Sequence, residues 1–232
     1  MGDSGADGEA HGSSFQPERS VASSSPDGVS AQKKSLHAVE RDTEENRRRR
    51  QQFVEALRAI PTEKLIFLDE SGVSTEMTRL YARCRGGGRI AEGTPNGRWK
   101  ILTILGALSL GGMIATMTIE EATDGDIFDA YLEQVLCPQL KEGDVVVMDN
   151  LSSHRLATVR ERIEKCKAKL LYLPPYSPDL NPIEKAWSKL KQELRSVKAR
   201  TKEALDKAIS ELLPSITTED AEAWFRLPFN AL

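Results

Sequence analysis

The sequence predicts an α/β domain: a mixed β-sheet with helices on its faces. Two observations carry the prediction. The stretches "KLIFLDESGV" and "DVVVMDN" each hold four consecutive apolar residues bounded by polar ones, the pattern of a strand buried on both faces. Between them, "ILTILGALSLGGMIATMTIE" sets two β-rich runs around Gly111-Gly112, the pattern of an antiparallel hairpin.

The elements follow in order. Residues 1–32 are rich in Ser, Gly, Ala and Pro with no apolar periodicity, and a disordered tail is expected. Residues 33–60 form a charged linker and helix, in which Phe53, Val54 and Leu57 recur at helical spacing up to Ile60-Pro61. Its four arginines, 47–50, suit either phosphate contact or a solvated helix face. From residue 61 the chain reads as one domain to 232. The first strand is "LIFLD", and the hairpin strands lie near 101–109 and 113–120. A helix follows with Ile127, Tyr131, Val135 and Leu136 on one stripe, capped by Asp124 or Asp126. Next come the strand "VVVMD", a helix through "RLATVRERIEKCK", and the strand "AKLLYLP". After a proline-rich turn, a helix carries Ile183, Trp187, Leu190, Leu194 and Val197 on one face, and helices near 201–214 and 218–226 close the chain. Trp99 and Trp187 read as core residues. Helical crossovers between the late strands make them parallel to each other.

Composition excludes several classes. With 232 residues, 39% of them hydrophobic, the chain can bury a sizeable core. No run of 18 apolar residues exists to span a membrane, and no basic, apolar start marks a signal peptide. Cys84, Cys137 and Cys166 are far apart in the sequence, which argues against a disulfide framework or zinc site and fits a reducing cytosol. The net charge of −3 hides an uneven split: residues 1–30 hold five acidic residues against Arg19, leaving the remainder near neutral. A near-neutral body can bind nucleic acid when its cations cluster. "RLYARCRGGGRI" supplies Arg79, Arg83, Arg85 and Arg89 around glycines; these could follow a phosphate backbone or simply be solvated.

Both buried-type strands end in an aspartate, Asp69 and Asp149. Sites in open α/β sheets form outside the carboxyl ends of the strands. Two carboxylates side by side there repel unless a cation lies between them, and Mg²⁺ takes a few carboxylate oxygens plus water and phosphate. Either aspartate alone would serve equally as a turn former. A third carboxylate, Glu184, stands in "LNPIEKAW". As a cap, Asn181 would be N-cap, Pro182 N1 and Glu184 N3 of a capping box. As chemistry, the same helix start would point Glu184 at the sheet edge bearing the aspartates. The residues alone leave both open.

"FLDESG", "VVMDNLSSH" and "LPPYSPDLNPIEKAWSKLK" resemble, in order, the three signature blocks of DDE transposases of the mariner superfamily, most closely the bacterial insertion-sequence-630 branch. The resemblance covers roughly residues 33–227. It implies a ribonuclease H-like, integrase-like five-stranded mixed sheet and a catalytic triad of Asp69, Asp149 and Glu184, with 34 residues between the last two. It further implies two Mg²⁺ ions, replaceable by Mn²⁺, held by that triad, with Asn150, His154 and Asn181 in support. The implied function is cleavage of transposon ends and their joining to target DNA. The implied partners are the element's terminal inverted repeats and target DNA, bound by a homodimer in a bacterial, nucleoid-associated cytoplasmic setting. Family members also carry helix-turn-helix domains; the resemblance implies that such a region is missing from this sequence and that residues 33–60 are the end of the link to it. A truncated remnant that only binds DNA or a full-length transposase, and another ribonuclease H-like nuclease, are the alternatives. A haloacid-dehalogenase-type phosphatase is disfavoured, because it needs a second aspartate where Ser71 stands.

Overall fold

The structure is a computed structural model that describes residues 37–230 except 80, 85, 87, 95–96, 98, 121–122 and 150–155. The tail expected at 1–32 lies outside them. Five strands form one sheet: β1 (Leu65–Ser74), β2 (Ile101–Ser109), β3 (Gly112–Ile119), β4 (Val145–Met148) and β5 (Lys169–Tyr172), in the order β3-β2-β1-β4-β5. The β1–β2 and β2–β3 pairs are antiparallel, and β1–β4 and β4–β5 are parallel. This is the ribonuclease H-like arrangement expected from the sequence. Leu110 and Gly111 make the hairpin turn, and Gly112 follows at φ +113°, a conformation open to glycine.

The helices are α1 (Glu44–Arg58), α2 (Gly125–Tyr131), α3 (Leu156–Lys165), α4 (Ile183–Val197), α5 (Lys202–Leu212) and α6 (Thr218–Phe225). They divide between the two faces of the sheet because strand side chains alternate. Leu65 and Phe67 of β1, with Val145 and Val147 of β4, pack with Phe53, Val54 and Leu57 of α1 and with Ile183, Trp187, Leu190 and Leu194 of α4. Ile66, Leu68, Val146 and Met148 point the other way, onto Tyr131, Leu132, Leu136, Val159 and Ile163. The charged helix α1 is therefore part of the domain core.

Several expectations need correction. Asp69 does not end its strand: β1 runs on to Ser74 because β2 pairs with it out to Ser74–Ile101, whereas its pairing with β4 stops at Phe67–Val147. The helix at 125 changes to a π-turn over Leu132–Leu136, which rotates the stripe so that Leu132 is buried while Ile127 and Val135 are only partly so. Asp124, not Asp126, caps it, accepting from the amides of Asp126 and Ile127. Trp99 and Val197 are both more than half exposed. Cys137 and Cys166, remote in sequence, meet in space, where both thiols donate to the Arg162 carbonyl. Among the described residues no helix is long and apolar enough to cross a membrane.

Candidate active site

Parity brings the two aspartates together. Asp69 lies two residues beyond Phe67, and Asp149 two beyond Val147, and Phe67 and Val147 are register partners. An even step keeps each on the face its predecessor occupies, here the face covered by α4. The main-chain entry into α4 then adds Glu184. Asp69, Asp149 and Glu184 line one open cavity of about 570 Å³ together with Arg49, Asn181 and the rim Tyr172–Pro178.

Helix α4 does not begin with the expected capping box. Pro182, not Asn181, is the N-cap, and no side chain caps the helix. The first amides turn back in tight three-residue bonds instead, Glu184 N to the Asn181 carbonyl and Lys185 N to the Pro182 carbonyl. Asn181 is buried, and its Nδ2 donates across the site to Asp69 Oδ2 at 3.5 Å. The amide that would have capped the helix thus contacts a carboxylate, and Glu184 is an exposed first-turn residue with no capping duty.

The electrostatics are those of clustered, partly buried carboxylates. The Asp69 carboxyl is pushed up to about 7, first by burial and then by the negative charge of Glu184, with Asp149 adding to it; the Glu70 amide, donating at 2.9 Å, pulls the other way. Asp149 is pushed up to about 6 by burial, Glu70 and Glu184. Trp187, under Asp69, lies close enough to favour its charge, yet its Nε1–H finds no hydrogen-bond acceptor of proper geometry. Asp149 Oδ1, Asn181 Oδ1 and the Tyr172 hydroxyl are buried without partners too. Such orphans are rare in native interiors, and three of these four, on Asp149, Asn181 and Tyr172, belong to residues that line one cavity.

Among the described residues, no three Asp, Glu, His or Cys side chains are drawn tightly enough to hold an ion unaided. The oxygen-only donor set, the unpartnered Asp149 Oδ1 and the raised carboxyl pKa values nevertheless fit a hard divalent cation, which binds through one or two carboxylates and completes its shell with water and phosphate. The expected supporting residues Asn150 and His154 lie outside the described residues, as does Arg85. Of the loop arginines, Arg83 and Arg89 are exposed and Arg79 donates to Ser196 Oγ at 2.7 Å; none of the three lines the cavity.

Sequence reasoning missed Arg50 and Asp179. Arg50, 3% exposed, makes a bidentate ion pair of 2.8 and 3.0 Å with Asp179 in the 3₁₀ turn Pro178–Leu180 just before α4. A signal existed: Arg50, Phe53, Val54 and Leu57 fall at i, i+3, i+4 and i+7, so the apolar stripe marks Arg50 as the inward arginine.

The profile of the family described as DDE superfamily endonuclease matches residues 64–206. No curated protein sequence is significantly similar to the chain. Among solved structures, the Mos1 transposase paired-end complex with left transposon end superposes with a TM-score of 0.68 at 18% identity, over 88% of this chain and 65% of that one. The mariner Mos1 paired end complex with Mg gives 0.67 at 17%, over 87% and 65%. The Mos1 transposase catalytic domain with Raltegravir and Mg gives 0.60 at 18%, over 81% and 92%. This chain thus spans about two thirds of the length of the Mos1 chains in those paired-end complexes, and nearly all of the catalytic domain. At such identities the likeness shows the shared ribonuclease H-like fold, while the profile reaches across well over half of the sequence and takes in all three carboxylates: the chain belongs to the DDE superfamily endonuclease family.

Proposed function

We propose that this domain is the catalytic part of a transposase, a divalent-metal-dependent DNA endonuclease and strand transferase. One observation carries the reading: three carboxylates from positions 69, 149 and 184 line a single cavity, two of them with strongly raised pKa values. Burial of mutually repelling carboxylates is costly unless a cation and an anionic substrate complete the site. Family membership and the Mos1 complexes with transposon ends, Mg and Mn lend support.

In the proposed mechanism Asp69, Asp149 and Glu184 are the catalytic residues. Mg²⁺, as two ions replaceable by Mn²⁺ and held by these carboxylates, would supply Lewis acidity toward the attacking and leaving oxygens of an in-line phosphoryl displacement. The chain's own groups do the rest. Asn181 Nδ2 orients Asp69 Oδ2, and the Glu70 amide holds Oδ1, so the carboxylate keeps one rotamer. Trp187, buried in the core one turn after Glu184, fixes the start of α4 against the sheet. Water attacks the phosphodiester at the element's end, breaking the P–O3′ bond and freeing a 3′-hydroxyl. That hydroxyl then attacks a target-DNA phosphorus and displaces the target's own 3′-oxygen. The partners are terminal inverted repeats and target DNA, engaged by a homodimer, in the cytoplasm. We place the catalytic domain at 61–232, with the preceding helix α1 packed into its core.

An assay of Mg²⁺-dependent nicking and strand transfer on DNA carrying the element's ends tests the proposal. The wild-type chain should nick and join, and Asp69→Ala, Asp149→Ala and Glu184→Ala should each lose both activities while binding DNA. Binding by the wild type with no cleavage under any divalent cation would leave it a DNA-binding remnant.

A further inference from the structure

The four arginines 47–50 are indistinguishable by composition, but the fold sends them to different places. Arg50 is buried against Asp179. Arg47 and Arg48 line a separate surface depression with Glu44, Glu45 and Gln51. Arg49 alone of the four lines the carboxylate cavity, and it is the only cationic side chain to do so among the described residues.

We infer that Arg49 is a phosphate-binding residue of the site, contacting the backbone of the DNA strand that enters the carboxylate cavity; this assignment rests on the nuclease reading above. Three further observations support it. First, helix α1 is held in place. The Arg50–Asp179 fork joins it to the turn that leads into Asn181 and Glu184, Arg41 adds a second contact to Asp179 at 3.7 Å, and Phe53, Val54 and Leu57 anchor it in the core. Arg49 therefore emerges at a fixed height beside the carboxylates. Second, its hydrogen-bond partner is Glu45, one turn back on the same exposed helix face. Exposed pairs of this kind contribute little, so a phosphate, which guanidinium binds through two parallel N–H···O bonds, can replace Glu45. Third, a cavity whose other charged side chains are all acidic repels a polyanion, and an arginine at its edge supplies the complementary charge. Arg49 precedes the segment matched by the family profile, which begins at residue 64, so the structure assigns to the site a helix outside it.

The test measures binding, not cleavage. A fluorescein-labelled 20-base-pair duplex of arbitrary sequence is titrated with the full chain in EDTA across a range of salt. Arg49→Ala should weaken binding roughly fivefold to tenfold at low salt and reduce the slope of log affinity against log salt by about one. Arg49→Lys keeps the charge and should keep the slope. Glu45→Gln should tighten binding about twofold in the wild-type background and have no such effect beside Arg49→Ala. Melting temperatures within a degree or two of wild type show that the exposed substitutions leave the fold intact. Wild-type-like affinity and slope in Arg49→Ala overturn the assignment and leave the nuclease reading standing. A wild-type chain that binds no DNA overturns both.

Discussion

Replacing Asp69 by asparagine should make the metal-free protein more stable and at the same time inactive. The folded-state carboxyl is pushed up to about 7 from an ordinary value of 3.8, with burial the largest cause and Glu184 the next. The sign follows from proton uptake. Between those two values the folded state holds a proton that the unfolded chain has released, so stability is full below pH 4 and is lost as pH rises through 7. Complete by pH 8, the loss is about 4 kcal/mol at most, since each pH unit corresponds to about 1.4 kcal/mol. Asparagine removes the titration and can still be satisfied. Its Oδ1 can accept from the Glu70 amide as Asp69 does, and its Nδ2 can donate to Asn181 Oδ1, which has no partner in the wild type. Thermal unfolding in EDTA should therefore show Asp69→Asn melting roughly 5–10 °C above wild type at pH 8, converging with it near pH 4. Mg²⁺ should raise the melting temperature of the wild type at pH 8 and have little effect on the variant. Equal melting temperatures at pH 8, or a gap that fails to close in acid, would show that Asp69 is not a destabilising buried carboxylate and would refute the reasoning.

Glu184→Gln separates chemistry from folding: with no cap to lose and repulsion of Asp69 and Asp149 relieved, it should be no less stable than wild type at pH 8 while nicking falls to background, measured by urea unfolding and gel assay. Arg50→Ala leaves Asp179 without its fork and should cost about 2 kcal/mol, a value discounted for the partial exposure of Asp179. Burial alone would raise the Asp179 carboxyl, but the Arg50 contact outweighs it and holds the group below its usual range. The cost should accordingly be present at neutral pH and shrink as the carboxylate is protonated below pH 4, read by denaturant titration at both pH values. Gly106→Ala, opposite Asp69 in the β1–β2 register, brings a Cβ to 2.9 Å from Trp187 Cη2 and 3.0 Å from Met113 Cε. The rigid indole must move, so a loss of about 1–3 kcal/mol is expected together with slower cleavage as Asp69 is displaced. Normal activity at the wild-type melting temperature would show that the indole is free to shift.

Much of this molecule was legible in one dimension because it depends on local periodicity. Four-residue apolar runs marked β1 and β4, a glycine pair marked the hairpin, and the i, i+3, i+4, i+7 stripe from Ile183 to Leu194 marked α4. Where the reading failed, a distant partner had overridden a local preference. Asn181 has the composition of a helix cap, but Asp69, 112 residues away, takes its amide. Asp69 looked like the end of a strand until β2 carried β1 five residues further. Arginines 47–50 are one run on paper and three environments in space.

From the sequence alone follow most of the strands and helices, the apolar runs that lead into Asp69 and Asp149, and the carboxylate in the first turn of α4. Only the tertiary structure decided that these three meet in one cavity, that Asn181 serves Asp69 and not the helix, and that α1 lends Arg49 to the site. The reason is physical. Periodicity states which side of an element is buried, whereas register, crossing position and long-range ion pairs state what that side is buried against.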